Sequence, residues 1–395
     1  MKLKIPPAAL HDALSFILPA IPNRPGIPVL GNALFRVSGK DLIVIATDVE
    51  VEAEVRLDIE KNNIIASDDC NFTLPCRKIK ELLDVRAKKA VMVVIENDTT
   101  DNYNDFVMKY EGARSVYKIT GISADDFPEQ IYDTSTQKVF KIESSQTLNS
   151  CISSVEDSMA SQDVRYFLNG LYLECEGDNI VIMTATDGHR LSQNRLAVKT
   201  KEPIVFGEII PKKMIHMLMP FTKNKDPISV AVTPNSIHAK ISKDGASYLL
   251  KAILVSGKYP NYRALVRHCS DVEVFLDREE LISMCSRILT LVKDGKMTGV
   301  IIHFEKDKLI LKTSPMQNGK QNNTGEEEMP MTGFDEKSPI EIGVDINYLI
   351  SPLKKLTCET VKIGINHGSG SSFLLTSGEQ GVDIDFFSVL MPMRL

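Results

Sequence analysis

An aspartate and a histidine two residues apart, Asp187 and His189, are the residues of this chain best spaced for acid–base chemistry. They sit in Thr184-Ala185-Thr186-Asp187-Gly188-His189-Arg190-Leu191. A carboxylate can orient an imidazole, but the pair then needs a nucleophile or a bound water to act on. No serine or cysteine nearby stands in a nucleophile-elbow pattern, and no H-E-x-x-H pair occurs. A turn aspartate beside a surface histidine is the simpler reading. Gly368-Ser369-Gly370 lacks the further glycine and the lysine of a phosphate-binding loop. Asp383 and Asp385 would share one face of a strand, yet they have no third ligand with them. The sequence therefore points away from catalysis and implies no metal and no cofactor.

Basic residues say more by position than by number. Arg77-Lys78, with Lys80, and Lys212-Lys213 both open a predicted helix. Arg165 stands close to Gln162 and next to Tyr166-Phe167, and Arg24 follows the first predicted helix. A lone lysine is by default a solvated one. Recurrence at equivalent places favours a surface that faces phosphates. The end of the chain, Val389-Leu390-Met391-Pro392-Met393-Arg394-Leu395, is apolar where termini are usually polar and loose. The plain reading is a final core strand; the sharper one is a strand whose tip forms one wall of an adaptable apolar groove, where methionine thioethers repack around different ligands.

The elements that position these residues recur three times. In the first copy Leu10, Ala13, Leu14, Ile17 and Leu18 form one helical face, closed by Pro19 and Pro22. A hairpin follows at 33–45 with its turn at 38–41, then a second helix after Pro75, then strands near 91–95, 106–110 and 115–120. The second copy has the stripe Leu148, Cys151, Ile152 and Val155, a hairpin at 171–184, and a helix opened by Pro211. The third has Leu281, Met284, Cys285 and Ile288, a hairpin at 300–312, and a helix with Ile346, Leu349, Ile350 and Leu353, which Pro352 must end or kink. Ala46-Thr47-Asp48 in the first copy matches Ala185-Thr186-Asp187 in the second, but the second carries His189-Arg190 where the first has Val49-Glu50, so only one copy has a candidate site there. Prolines close the copies at 128, 260 and 392, an interval of 132 residues each time. Such self-similarity at a fixed period marks repeated modules, each here large enough to bury its own core. The polar stretches 97–105 and 314–338 are expected at the surface.

The totals agree. A chain of 395 residues, 43% hydrophobic and 25% charged, is too long for one core and suits two or three domains of ordinary globular type. A net charge of −6 argues against a uniformly nucleic-acid-binding surface and leaves room for one basic face. No apolar run is long enough to span a bilayer, and the first residues lack a signal-peptide core, so a cytoplasmic protein without membrane contact is expected. Seven scattered cysteines (70, 76, 151, 175, 269, 285 and 358) read as reduced core residues.

With these pieces assembled, the chain resembles the bacterial β sliding clamps, the processivity subunits of DNA polymerase III. The strings that carry the resemblance are Asp163-Val164-Arg165-Tyr166-Phe167-Leu168-Asn169-Gly170, Ala185-Thr186-Asp187-Gly188-His189-Arg190-Leu191 and Met391-Pro392-Met393-Arg394-Leu395. Pro28-Val29-Leu30-Gly31-Asn32 and Asp126-Phe127-Pro128 match as well, so the likeness runs end to end. It implies an α+β fold of three structurally similar domains, 1–134, 135–267 and 268–395, with helices inside and antiparallel sheets outside. It implies a homodimer closing a six-domain ring around double-stranded DNA without reading its sequence. The partners implied are the DNA polymerase III catalytic subunit, the clamp loader and other proteins carrying a clamp-binding motif. On the matching positions, the DNA-facing residues would be Arg24, Arg77, Gln162, Arg165, Tyr166, Phe167, Lys212 and Lys213. The partner-peptide groove would use Leu168, Thr186, Gly188, His189, Arg190, Leu191, Pro260, Leu265 and Tyr348, with Val389, Leu390, Met391, Pro392 and Met393 as its other wall. The subunit interface would pair Tyr117 and Ile119 with Thr290 and Leu291. Phe167, Ala264 and Thr290 depart from the tyrosine, arginine and aliphatic residue common at those places in the family. A repeat-built scaffold without DNA and a hydrolase using His189 are the alternatives. Charge reversal at Arg24 and Arg165 separates the first from a clamp, and turnover lost in His189→Ala would mark the second.

Overall fold

The computed structural model describes the chain except residues 87–91, 99–103, 130–131, 133–135, 244, 267–270, 293–297, 314–315, 318–319, 322, 337, 367–371, 382–384 and 394–395. Gly368-Ser369-Gly370, Asp383, Cys269, Arg394, Leu395 and parts of the 97–105 and 314–338 stretches therefore lie outside the described residues.

Helices form where apolar residues recur at a period of 3.6 and strands where they alternate. Helix α1, Pro7–Ile17, starts with proline at a position whose missing N–H costs nothing. Its Leu10, Ala13, Leu14 and Ile17 are buried as the pattern predicts, and Leu18 passes into a short 3₁₀ turn. Helix α2, Cys76–Arg86, buries Ile79 and Leu83. Helix α3, Ser145–Val155, buries Leu148, Cys151, Ile152 and Val155. Helix α4, Lys212–Leu218, buries Met214, Met217 and Leu218. A single helical turn, α5, covers Arg263–Val266. Helix α6, Arg278–Val292, carries Glu279 and Glu280 in its first turn, where acidic groups meet the positive end of the helix dipole. Helix α7, Ile346–Leu353, is capped by Asp345, whose carboxylate accepts from Asn347 N, and Pro352 falls in its last turn.

Packing divides the chain into two compact units. The first comprises residues 1–146, 198–204 and 213–254, the second 147–197, 205–212 and 255–395. The division cuts through the second sequence repeat, for a reason visible in the strands. Within the first unit a nine-stranded antiparallel sheet runs through Ala246–Ile253 and Val51–Asp58, pairing the end of the second repeat with the first. Within the second unit an eight-stranded sheet pairs Arg190–Ala197 with Phe387–Leu390, joining the second repeat to the third. We call these two strand pairings the first and second seams.

The first unit also holds a five-stranded sheet ending in Val116–Thr120, and the second a four-stranded sheet ending in Glu326–Pro330. Lys2–Ile5 is a strand in the five-stranded sheet, an element that the prolines beside it hide from a pattern search. The hairpins predicted at 33–45, 171–184 and 300–312 are present as Asn32–Ser38 with Asp41–Thr47, Gly170–Glu176 with Ile180–Thr186, and Gly299–Glu305 with Lys308–Thr313.

Candidate functional site

The turn after Ile180–Thr186 is built by side chains bonding their own backbone, the usual behaviour of Thr and Asp at such places. Thr186 Oγ1 donates to Arg190 O at 2.7 Å and accepts from Gly188 N at 3.1 Å. Asp187 Oδ1 accepts from His189 N at 2.9 Å and Arg190 N at 3.0 Å. Gly188 has a φ of 89°, a region that disfavours any residue with a Cβ. A Cβ here would also meet the Arg165 guanidinium nitrogens at 2.9 Å. The Asp187 carboxylate thus holds the turn together, and its other oxygen accepts from Arg190 Nε at 3.1 Å. The His189 ring lies beside the Tyr348 ring, with centroids 6.5 Å apart. The spacing that suggested an acid–base pair is the spacing of a turn.

The second seam places the chain end against this turn. Leu191 pairs with Val389 and Arg190 with Leu390, and Met391 N donates to His189 O at 2.9 Å. Register is fixed by buried hydroxyls: Ser192 Oγ bonds Ser158 Oγ at 2.8 Å and donates to Ser388 Oγ at 3.1 Å, which donates to Leu191 O at 3.0 Å. A slip by one residue would turn the apolar side chains of this strand to the wrong face and orphan those hydroxyls.

Above the seam lies a cavity of about 160 Å³ lined by Arg165, Leu168, Thr186, Gly188, Arg190, Leu191, Pro260, Tyr262, Leu265, Val389 and Met391. Its floor is apolar: Leu168, Leu191 and Val389 are buried and pack with Tyr259 and Tyr262. Its rim carries two guanidinium groups. Arg165 is held to Asp163 at 2.8 Å, and to Asp187 O at 3.1 Å; its hydrogen bonds pull the Asp163 carboxyl down to about 2. Arg190 bonds the Asp157 carbonyl and stacks over the Tyr348 ring, 4.4 Å from its centroid. Helix α7 is tied in by Ser351 Oγ, which donates to Asp157 Oδ2 at 2.8 Å, and by Lys355, 3.5 Å from the same oxygen. Behind the floor, Tyr172 and Tyr259 stack at 4.5 Å and 4°, and burial raises the Tyr259 hydroxyl pKa.

Of the residues expected on the groove, Leu168, Thr186, Gly188, Arg190, Leu191, Pro260, Leu265, Val389 and Met391 line this cavity. His189 and Tyr348 stand at its edge through their ring contact and the Arg190 stack. Leu390 is fully buried: alternation along the strand sends it away from the face shared by Val389 and Met391. Pro392 follows the last strand, and Met393 N donates to Gly343 O at 2.9 Å, so the tail is held by its backbone there. Tyr262 lines the cavity without having been singled out by the sequence. Its hydroxyl donates to Glu174, which also accepts from Arg263 at 3.0 Å. The available signal was an aromatic on each side of the closing proline, Tyr259-Pro260-Asn261-Tyr262.

The residues expected to face DNA divide between the units. Arg24, Arg77 and Lys213 belong to the first, and Gln162, Arg165, Tyr166, Phe167 and Lys212 to the second. Several of the cations serve the chain itself. Arg77 donates to Ile21 O at 3.1 Å and Asn23 Oδ1 at 3.0 Å. Lys213 donates to Ala20 O at 3.1 Å and pairs with Asp48. Lys212 reaches Met159 O at 3.2 Å and Ala160 O at 3.4 Å. Arg24 and Gln162 are exposed, Tyr166 is 56% exposed, and Phe167 packs on the cavity floor. Tyr117 and Ile119 lie on the terminal strand Val116–Thr120, and Thr290 and Leu291 near the end of α6. Among the described residues no cluster of ligands could hold a metal ion, and no helix is long and apolar enough to cross a membrane.

Repeated modules are thus joined by continuous strands, with an apolar cavity rimmed by cations at one joint. Profiles of the N-terminal, central and C-terminal domains of the DNA polymerase III beta subunit match residues 1–132, 142–261 and 268–394. The chain belongs to that family, the beta sliding clamps, which are non-catalytic accessory subunits of the polymerase. A beta sliding clamp of Salmonella typhimurium is 27% identical over 398 residues, covering 100% of both chains. One of Escherichia coli K12 is 26% identical over 397 residues, again covering 100% of each. The crystal structure of the DNA polymerase III subunit beta from Pseudomonas aeruginosa superposes with a TM-score of 0.86 at 27% identity, covering 100% of both. The Caulobacter crescentus pol III beta structure, at 21% identity and a TM-score of 0.87 with 100% of both chains covered, shares the fold.

Proposed function

We propose that two copies of this chain close head to tail into a ring that holds double-stranded DNA by enclosure, and that each copy tethers replication proteins through the cavity at its second seam. The observation that carries the tethering reading is the cavity itself: an apolar floor beneath two guanidinium groups suits a short peptide with aliphatic or aromatic anchors and acidic or carbonyl oxygens near them. Met391 gives one wall a side chain that can repack around different anchors. The partners in this reading are the polymerase III catalytic subunit, the clamp loader and other proteins bearing such a peptide, in the cytoplasm.

The sheets support ring closure. Val116–Thr120, with Tyr117 and Ile119, is a terminal strand, and so is Glu326–Pro330 beside α6, with Thr290 and Leu291. A terminal strand with open N–H and C=O groups is satisfied by pairing with another chain, and two different terminal strands give a heterologous contact, which makes a ring when its rotation closes, as this reading has it do after two copies. Enclosure needs a diffuse positive lining instead of base contacts. Arg24, Arg77, Arg165, Lys212 and Lys213 supply that charge in this account, with Gln162, Tyr166 and Phe167 as uncharged neighbours, the tied cations still presenting charge to phosphates.

The test of tethering is binding of a labelled short peptide of leucine, phenylalanine and aspartate to the full chain and to a chain truncated after Leu390. The truncation removes the Met391 wall, and affinity is expected to fall by more than about tenfold. Unchanged affinity would place the docking site elsewhere.

A further inference from the structure

The first seam repeats the second almost atom for atom. Thr47 Oγ1 donates to Val51 O at 3.0 Å and accepts from Val49 N at 2.9 Å, as Thr186 does with Arg190 and Gly188. Asp48 Oδ1 accepts from Glu50 N at 3.0 Å and Val51 N at 2.8 Å, as Asp187 does from His189 and Arg190. Ile253 N donates to Glu50 O at 3.0 Å, matching Met391 N on His189 O at 2.9 Å. The strands keep the same register, so Glu52 paired with Lys251 occupies the place of Leu191 paired with Val389.

That substitution changes the chemistry of the floor. Lys251 Nζ lies 2.7 Å from Glu52 Oε1 and 3.2 Å from Glu54 Oε2, and Glu52 is only 7% exposed. The Tyr132 ring lies over the lysine, 5.4 Å from Nζ to its centroid, and meets the His238 ring edge-on at 4.9 Å. An apolar anchor lowered onto this floor would displace the aromatic ring and take the remaining solvent from an ion pair, gaining no hydrogen bond in return. The same backbone frame thus receives apolar side chains at the second seam and repels them at the first.

We propose that the first seam is a closed copy of the docking cavity, with the Glu52–Lys251 pair beneath Tyr132 replacing the Leu191–Val389 floor, and that exchanging these three side chains for apolar and small ones opens it as a second docking site. This rests on the docking reading above, and the test separates the two. The labelled leucine–phenylalanine–aspartate peptide is titrated calorimetrically into the full native chain and into the triple variant Glu52→Leu, Lys251→Val, Tyr132→Ala. The native count tests the docking reading: one equivalent per chain supports it and none defeats it. The gain in the variant tests the closed copy: a second equivalent supports it, and an unchanged count in a variant whose circular dichroism and melting show it folded overturns it. A native chain that already binds two and loses one on Tyr132→Ala overturns it as well. Should the triple variant fail to fold, the reciprocal exchange Leu191→Glu with Val389→Lys decides. That exchange builds the ion pair into the second seam and is expected to lower peptide affinity by more than about tenfold. Native affinity in the exchanged chain contradicts the proposal.

Discussion

Val49 holds a φ of 82° in the turn where its counterpart Gly188 holds 89°. A β-branched residue in that region is strained by about 1–3 kcal/mol, partly offset in a glycine variant by the greater freedom of its unfolded chain. Val49 is 41% exposed and gives up little packing. Val49→Gly is therefore expected to raise stability by about 1 kcal/mol, read as a higher denaturant midpoint at constant slope. The opposite change, Gly188→Val, meets both the φ penalty and the Arg165 guanidinium at 2.9 Å. It should lower stability and weaken peptide binding together. His238 offers a pH prediction. Burial, then the neighbouring Lys251 charge, lowers its pKa from 6.5, so the fold favours the neutral ring. That contribution is complete above 6.5 and is lost as pH falls below it. The denaturant midpoint should drop between about pH 7.5 and about pH 5.5, and drop less in His238→Gln.

At the scale of elements, the second seam depends on hydroxyls that a hydrophobic pattern does not register. Ser192 and Ser388 are 3% and 1% exposed, with Ser192 donating to Ser388 and Ser388 to Leu191 O. Ser388→Ala should cost about 1–3 kcal/mol, because Ser192 loses its acceptor in a dry place. The double change with Ser192→Ala should cost less than the sum of the single ones, measured by a cycle of denaturant midpoints. Helix stripes and hairpins are legible in the sequence because they follow local periods: Leu10, Ala13, Leu14 and Ile17 declare α1, and Leu281, Met284, Cys285 and Ile288 declare α6. One wall of the cavity is legible in the apolar end of the chain, but the rest only through family likeness, since Leu168, Leu191, Pro260 and Val389 lie far apart in the chain. Sequence alone does not reveal that Arg77, Lys212 and Lys213 hold backbone carbonyls, because those oxygens belong to every residue type. Nor does it show Leu390 turned to the core, which depends on the register of one strand pair.

For the whole molecule, a net charge of −6 leaves room for one basic face but not for a uniformly basic surface, and in the proposed ring enclosure does most of the holding. The Glu326–Pro330 strand carries three successive glutamates, with Arg287 bound to Glu327 at 2.9 Å and Lys308 to Glu328 at 2.9 Å. Such pairs on a surface contribute little singly, so ring closure should rest on strand pairing and the apolar contacts of the half-buried Tyr117 and Leu291. A chain of 43.9 kDa is accordingly expected to show twice that mass in solution, and Leu291→Asp to halve it. The most direct measurement loads the protein onto nicked circular DNA and follows its retention before and after the circle is cut to a linear form. Enclosure predicts slow loss from the circle and rapid loss from the free ends after cutting. Equal retention on both forms would mean that the protein grips DNA by contact, and would contradict the account.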